Sequence, residues 1–194
     1  MKLTKDFFIK QEPLVIAKAL LGKTLVTKID GKLTSGIIIE TEAYLAPEDK
    51  ASHAFNNKKT PRNQAMFLEG GIAYVYLCYG LHSMFNIVTG THNVPHGILI
   101  RSIRPQIGID TMLVRRNLTS LCKNFTIGPG KTTQALGIKC AHNAIDLTAN
   151  EIWLEDNQSP RQIASNSIIT TPRIGINYAQ EYKDKPWRFL LNEF

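Results

Sequence analysis

Apolar and polar residues alternate in several short stretches of the chain, and this two-residue period is typical of β strands. Two such stretches, Lys23 to Ile29 and Gly36 to Tyr44, lie on either side of Asp30-Gly31, a strong signal for a tight hairpin turn. Further strands are predicted at Ile72 to Tyr79, Gly97 to Ile103, Ile152 to Glu155 and Trp187 to Leu191.

Helical signals are fewer. Proline suits the first turn of a helix, and glycine suits the position just after its end. These signals predict helices at Pro13 to Leu21, Pro61 to Phe67 with Thr60 as the cap, Gly108 to Arg116 and Pro129 to Leu136. Because strands outnumber helices and occur in hairpins, we expect an α+β fold, with residues 1–194 in a single compact domain whose curved, largely antiparallel sheet is flanked by short helices.

The strand Gly36 to Tyr44 carries polar groups at its end. Because side chains alternate between the two faces of a strand, Glu40, Glu42 and Tyr44 share one face. Side chains two positions apart lie roughly 6.5 to 7 Å from each other. At that distance two like charges raise one pKa in a site shielded from water, which is one way to make a general base. The alternative is a solvated strand end with both glutamates in water.

Charge narrows the class of partner. The chain has a formal net charge of +7 at pH 7 and a sequence pI of about 9.4, which favours a polyanion such as nucleic acid. Its three cysteines lack CxxC spacing, so neither a disulfide framework nor a zinc site is predicted, and we expect no metal or other cofactor. The start, MKLTKDFFIKQE, lacks the apolar segment of a signal peptide, and no run of about 18 apolar residues occurs. A cytoplasmic protein without a membrane partner, associated with the nucleoid through DNA binding, is therefore expected.

The sequence YVYLCYG places Tyr74, Tyr76 and Tyr79 at the end of a predicted strand. Aromatic residues in strands usually belong to the core. Beside a basic surface, however, such tyrosines can stack on nucleobases, at roughly 1 to 3 kcal/mol per base. A tyrosine on a turn, as Tyr79 is predicted to be, can also act as a wedge between base steps. Both interpretations stay open at this point.

Cationic residues cluster near predicted helix starts. Lys58, Lys59 and Arg62 surround one such start, and Lys131 follows the glycines of GPGK at another. Free backbone N–H groups with a nearby lysine form anion sites. These segments are therefore candidate phosphate contacts.

A series of short motifs follows one order along nearly the whole chain: ETEAY (Glu40 to Tyr44), PEDKASH (Pro47 to His53), TPRN (Thr60 to Asn63), YVYLCYG (Tyr74 to Gly80), Asn86, GPGK (Gly128 to Lys131) and PRIGINYA (Pro172 to Ala179). Together they resemble the alkylpurine, or 3-methyladenine, DNA glycosylase family of animals and many bacteria. The resemblance implies a single α+β domain that binds double-stranded DNA, flips a damaged purine and hydrolyses its N-glycosidic bond, which initiates base excision repair.

The resemblance also implies roles for individual residues. Glu42 would be the general base that activates the attacking water, with Arg101 and a backbone carbonyl near Ile174 helping to hold that water. A nearby carboxylate also stabilises the oxocarbenium-like state of glycosidic cleavage. Bases made cationic by alkylation need little acid assistance, whereas neutral lesions such as hypoxanthine need a proton at the leaving purine.

By the same resemblance, Tyr44, His53 and Tyr76 would form the pocket that stacks on both faces of the flipped base. Asn86 would lie against the purine edge and exclude the exocyclic amine of normal guanine by clash. Tyr79 would be the wedge that fills the vacated stack.

Lys58, Thr60 and Lys131 are the residues expected to contact DNA phosphates, and they should supply much of the salt-dependent affinity. None of the pocket residues named above is a lysine, so the amine nucleophile that a β-lyase requires is missing from them. A monofunctional, monomeric enzyme is expected.

Two other functions are consistent with parts of the sequence. A noncatalytic protein that binds damaged DNA or other nucleic acid would use the same aromatic and cationic residues, with Glu42 as a structural group. A glycoside hydrolase would use Glu40 and Glu42 as paired carboxylates, although the net charge of +7 argues against an acidic sugar groove.

Overall fold

The computed structural model describes residues 1–156 and 167–192. Their strands are β1 (Thr24–Ile29), β2 (Lys32–Leu45), β3 (Ala73–Cys78), β4 (His82–Thr89), β5 (His96–Ile107), β6 (Ile152–Glu155), β7 (Ile168–Thr171) and β8 (Arg188–Leu191). Their α helices are α1 (Lys5–Ile9), α2 (Pro13–Ala19), α3 (Ile109–Arg115) and α4 (Pro129–Leu136). Short 3-10 helices occupy Phe55–Asn57, Gln64–Phe67, Cys140–His142 and Gln180–Asp184. No helix in these two ranges is long and apolar enough to cross a lipid bilayer.

One antiparallel sheet contains these strands. Its main path runs β3-β4-β5-β2-β1-β6, and β8 pairs with both β2 and β7 beside this path. The 14-residue β2 is central, because β5 pairs along one edge while β1 and then β8 pair along the other. The sheet curves into a half-barrel, which confirms the predicted α+β class with a curved antiparallel sheet.

The pairing between β2 and β5 is irregular beside the candidate site. Ile38 pairs with Ile103 and Glu40 with Ser102, so the ladder passes over Ile39, and the next pair passes over Arg101. Such bulges bend a strand and re-aim the side chain of the extra residue. Here the irregularity places Arg101 next to the two glutamates of β2.

The main core lies between the sheet and the helices. It contains residues from helices α2, α3 and α4 and from the central strands, among them Ile16, Leu20, Ile38, Ile100, Ile103, Met112, Leu136 and Phe189, each with at most 1% of its surface exposed. Burying a side chain of this size contributes about 1.5 to 3 kcal/mol. This packing makes β2 and β5 a rigid base for the polar residues at their irregular pairing.

Several predicted elements are confirmed. Helices α2 and α4 begin at Pro13 and Pro129, and α4 ends before Gly137, whose φ of 77° is in the left-handed region. Asp30 and Gly31, with φ of 53° and 71°, form the two-residue turn of the first hairpin. The other predicted strands are present with bounds that shift by a few residues.

The predicted helix from Pro61 to Phe67 is wrong as an α helix, because a turn and the 3-10 helix Gln64–Phe67 take its place. Asn63 supplies the reason. Its Oδ1 accepts the N–H of Thr60 at 2.7 Å, and its Nδ2 donates to the carbonyl of Lys58 at 2.8 Å. The Asn63 side chain thereby forms hydrogen bonds with the loop backbone, and these bonds compete with the hydrogen bonds of a regular α helix.

Helix α1 and strands β4 and β7 are absent from the sequence-based prediction. The six residues of β4 from Met84 to Thr89 are all buried. A strand buried on both faces shows little alternation of polar and apolar residues, so its period is not readable.

Candidate active site

Glu42 lies near the end of β2 with 0% of its surface exposed. The backbone N–H of Ile174 donates to its Oε1 at 2.8 Å, and the Tyr44 hydroxyl donates to its Oε2 at 2.9 Å. Arg101 Nη1 lies 3.3 Å from the same Oε2. Burial, and next the charge of Glu42, raises the pKa of Tyr44 well above its usual value, so its hydroxyl stays a donor. These partners compensate the charge of a carboxylate removed from bulk water.

Arg101 bridges the two glutamates of β2. Its Nε donates to Glu40 Oε1 at 2.8 Å, while its Nη1 faces Glu42. Arg188 Nε donates to the same Glu40 oxygen at 2.7 Å, and the Ser102 hydroxyl donates to the other oxygen. Burial raises the pKa of Glu40, but the Ser102 hydrogen bond and the two arginines outweigh it, so the pKa is lowered. Glu40 is therefore held ionised.

This arrangement corrects the idea that the two glutamates act on each other as like charges. A guanidinium lies against both carboxylates, and the pKa of Glu40 is lowered, not raised. Because Glu40 is held ionised by the two arginines and Ser102, it is not suited to be the protonated general acid of a glycoside hydrolase.

An aromatic cavity lies beside Glu42. Its lining consists of Tyr44, Ala51, His53, Met66, Tyr74, Tyr76, Asn86 and Gly97. The space between these side chains, about 280 Å³, includes solvent at the open side of the cavity. Tyr44 links the cavity to the buried carboxylate, because it lines the first and bonds the second.

Three rings of the cavity contact one another. His53 Nδ1 and the Tyr74 hydroxyl share a hydrogen bond of 2.8 Å. The His53 and Tyr76 rings meet edge to face with centroids 4.6 Å apart, and Tyr76 lies 5.3 Å from Tyr74. Such mutual contacts hold the rings in defined orientations. The structure thus brings together Tyr44, His53 and Tyr76, as predicted for the base pocket.

The titratable groups of the cavity are uncharged at neutral pH. Burial raises the pKa of Tyr74 to about 12, and it raises the pKa of Tyr76 still further. Burial lowers the pKa of His53, and the nearby charge of Arg62 lowers it again. The walls therefore present neutral rings to anything that enters.

Asn86 lies on β4 with 5% of its surface exposed and lines the same cavity. Its Nδ2 donates to the Tyr74 carbonyl at 3.1 Å. This bond across the β3-β4 pair restrains the amide, so the side chain cannot swing out of the cavity without losing a buried hydrogen bond.

Tyr79 lies in the turn between β3 and β4, as predicted, with 92% of its surface exposed and φ of 50°.

The residues predicted to contact phosphates lie in two segments. The GPGK segment packs directly against the start of β4, because a Cβ on Gly130 would approach the ring of His82 to 2.8 Å. Lys131, in that segment, is half-buried, and Lys58 is exposed. The hydroxyl of Thr60 donates to Asn63 Oδ1 at 3.0 Å, so an internal bond already engages it.

Comparison with known proteins decides the family. The family model described as methylpurine-DNA glycosylase matches residues 7–193. The chain belongs to the methylpurine-DNA glycosylase family. A relative from Chlamydia felis is 53% identical over 191 residues, which are 98% of this chain and 96% of the relative. Relatives from Clostridium acetobutylicum and Bacillus mycoides are 40% and 42% identical, over 98% and 94% of this chain and 94% and 92% of their own. All three are provisionally named 3-methyladenine DNA glycosylase.

The resemblance that the sequence motifs indicated is therefore confirmed, and this methylpurine-DNA glycosylase family member is assigned to DNA repair. The family match covers both segments that meet at the candidate site: β2 with Glu42, and the segment of Ile174 that donates to it.

One feature of this glycosylase-family site was missed from the sequence. Asp49 and Arg173 form a bidentate ion pair of 2.6 and 2.9 Å, and both side chains are 0% exposed. The Arg173 guanidinium lies 4.6 Å from the Tyr44 ring and 5.0 Å from the Trp187 ring. Both charged residues belong to motifs singled out above, PEDKASH and PRIGINYA, but only the fold reveals that they form a pair.

The ion pairs of Glu40 predict that the stability of the fold depends on pH. Because the folded pKa of Glu40 is lowered, its ionised form stabilises the fold above the ordinary glutamate value of 4.5, and this contribution is lost as pH falls through the folded pKa. The difference in free energy of unfolding between the native protein and Glu40→Gln should therefore be largest near neutral pH and shrink below pH 4.5. Urea unfolding from pH 7 to 3 measures it, and a difference independent of pH would contradict this role.

Proposed function

We propose that this protein is a monofunctional DNA glycosylase that flips alkylated or otherwise damaged purines out of double-stranded DNA and hydrolyses the N-glycosidic bond. The observation that carries the proposal is the hydrogen bond of 2.9 Å between Tyr44, a wall of the aromatic cavity, and the buried Glu42. This bond joins a pocket lined by aromatic rings to a carboxylate suited to act on water. The shared name of the relatives supports an alkylated purine as the substrate.

Glu42 is the general base in this proposal. It takes a proton from the attacking water, and its charge stabilises the cationic sugar as the glycosidic bond breaks. Arg101 and the backbone at Ile174 hold the carboxylate in place, and they help to position the water. Because these groups are fixed before substrate arrives, little reorganisation is needed during the reaction.

The cavity rings select the base. Tyr44, His53 and Tyr76 stack on the flipped purine, since neutral rings bind a flat heteroaromatic base through its faces. Asn86, restrained by its bond to the Tyr74 carbonyl, occupies the space that the exocyclic amine of guanine would need. Normal guanine is thus excluded at the binding step.

The exposed turn at Tyr79 is the wedge that fills the gap left by the flipped nucleotide. Lys58 and Lys131 contact phosphates, and Thr60 joins them when its hydroxyl exchanges Asn63 Oδ1 for a phosphate oxygen. The net charge of +7 supports binding to a polyanion. The protein acts as a monomer on one damaged site, and it needs neither a metal nor another cofactor for this chemistry.

Hydrolysis without strand cleavage follows from the nucleophile available. A β-lyase forms a Schiff base through an amine, yet no lysine lines the cavity in the described part of the chain. Water activated by Glu42 is then the nucleophile, and the product is an intact strand with an abasic site.

The proposed activity is tested by single-turnover release of free base. Duplexes carry a 3-methyladenine analogue, 1,N6-ethenoadenine or hypoxanthine, and an undamaged duplex serves as the control. We expect release from at least one damaged duplex, no release from the control, and strand breaks only after alkali. Release should slow as salt rises, because phosphate contacts displace counterions. No release from any duplex would contradict the glycosylase, and an adduct trapped by borohydride would contradict the monofunctional mechanism.

A further inference from the structure

Two walls of the cavity each have an arginine over one ring. The Arg173 guanidinium carbon lies 4.6 Å from the centroid of Tyr44, and that of Arg62 lies 5.2 Å from the centroid of Tyr76. Tyr44 and Tyr76 line the cavity, whereas neither arginine does. Each cation therefore acts on the contents of the cavity through an aromatic ring.

The two arginines differ in how their charge is compensated. Arg173 is paired with the buried carboxylate of Asp49 at 2.6 Å. Arg62 is exposed and donates from Nη2 to the Leu77 carbonyl at 3.1 Å, and no carboxylate within residues 1–156 and 167–192 forms an ion pair with it. Arg62 is thus an uncompensated positive charge that a hydrogen bond holds over the Tyr76 ring.

We propose that Arg62 is a specificity-determining residue that makes the pocket bind neutral damaged purines in preference to cationic alkylated ones. This inference rests on the proposed function, because it assumes that a flipped purine stacks on Tyr76. It separates two steps: Arg62 disfavours a cationic base during binding, while such a base still leaves readily once bound.

The physical reason is competition for one ring. An aromatic face attracts a cation through its negative quadrupole. A guanidinium already over Tyr76 uses that attraction, and its charge repels a second cation stacked on the same ring. A neutral purine is not repelled by the guanidinium, and its stacking does not depend on the attraction between a cation and the ring face. Stacking on a cationic base would otherwise be favoured by the electron-rich tyrosines of the cavity.

The charge of Arg62 also acts on the titratable groups of the cavity. It lowers the pKa of His53, after the larger effect of burial, and it opposes the rise that burial causes in the pKa of Tyr74 and Tyr76. A field that disfavours protonated His53 also disfavours a cationic purine at the same place.

The test measures binding separately from chemistry. In a Glu42→Gln background, which we expect to bind without turnover, dissociation constants are measured for duplexes with 7-methylhypoxanthine, a cationic base, and with hypoxanthine, a neutral one. Neither base carries the exocyclic amine of guanine. The ratio of the two constants is compared between the variant that keeps Arg62 and the variant that also carries Arg62→Gln. Loss of the charge should shift the ratio about tenfold toward 7-methylhypoxanthine, equivalent to about 1.4 kcal/mol. Arg62→Lys should restore part of the original preference.

Lys59→Gln is the matched control, since Lys59 is an exposed cation in the same segment whose Nζ lies 5.2 Å from the ring of Phe67, which does not line the cavity. It should weaken both duplexes equally. An NMR titration of His53 gives a readout apart from DNA binding, because its pKa should rise in Arg62→Gln.

The outcomes separate the two proposals. If Arg62→Gln weakens both damaged duplexes equally, Arg62 is a phosphate contact only and the inference is overturned. The inference is also overturned if the ratio of the two dissociation constants changes by less than about twofold, which is well below the expected tenfold change of ~1.4 kcal/mol. If neither damaged duplex binds more tightly than undamaged DNA, the failure lies instead in the proposed function.

Discussion

Replacement of Glu42 by glutamine should reduce single-turnover base release by about a thousandfold, within the range of roughly 10² to 10⁴ that a general base contributes. Glutamine keeps the shape of the side chain but cannot accept the proton of the attacking water. The amide also lacks the charge that stabilises a cationic sugar. Binding of a damaged duplex should persist, because the cavity rings and the exposed turn at Tyr79 are unchanged.

Glu48→Gln is the control for this experiment, since it makes the same chemical change at an exposed glutamate of the neighbouring loop. It should leave release unchanged within about twofold, as expected for a surface substitution. Release by Glu42→Gln within tenfold of the native rate would contradict the general base. If the native protein itself binds damaged duplexes tightly but releases no base, the noncatalytic DNA-binding alternative is favoured and Glu42 has a structural role.

Arg173→Met should produce the largest loss of stability among the site substitutions. Both members of the Arg173–Asp49 pair are fully buried, so methionine leaves a carboxylate in the interior without its cation. Breaking such a pair costs about 3 to 5 kcal/mol. For a domain of this size, that corresponds to a decrease in Tm of about 10 °C. Thermal unfolding followed by circular dichroism measures the change.

The same substitution should also lower the rate of base release. Arg173 lies against the Tyr44 ring and directly precedes Ile174, whose backbone N–H donates to Glu42. Loss of the buried pair therefore loosens a wall of the cavity and a donor to the carboxylate together. Release measured well below the Tm of the variant separates this effect from unfolding.

A double variant, Arg173→Met with Asp49→Leu, distinguishes an unpaired charge from lost packing. Removing both charges should recover much of the stability, because the interior then holds neither ion. Lys50→Met, which breaks an exposed ion pair with Glu181, should change the Tm little. A single Arg173→Met variant as stable as the native protein would contradict the importance of this buried pair.

Local signals in the sequence were sufficient for much of the architecture. The Asp30-Gly31 turn, the proline at the start of α4 and the glycine after its end are properties of a few neighbouring residues, and the structure reproduces them. The helix predicted from Pro61 failed because Asn63 bonds the loop backbone with its side chain. Strand β4 was missed because burial on both faces removes the alternating pattern.

In the candidate site, too, some residues were predictable from local spacing and others were not. Glu42 and Tyr44 were predicted to share a face because they are two positions apart on one strand, and their bond of 2.9 Å agrees with that geometry. The placement of Arg101 depends on an irregular register between β2 and β5, which no local pattern predicts.

By itself, therefore, the sequence determined the fold class, the family and the strand that carries the candidate base, since periodicity, turn residues and ordered motifs are all local. Only the tertiary structure decided which charges are paired. Asp49 and Arg173 are separated by 124 residues, and Glu40 meets Arg188 across 148. The pairing of distant charges depends on burial and on how strands meet across the sheet, and these are properties of the folded chain as a whole.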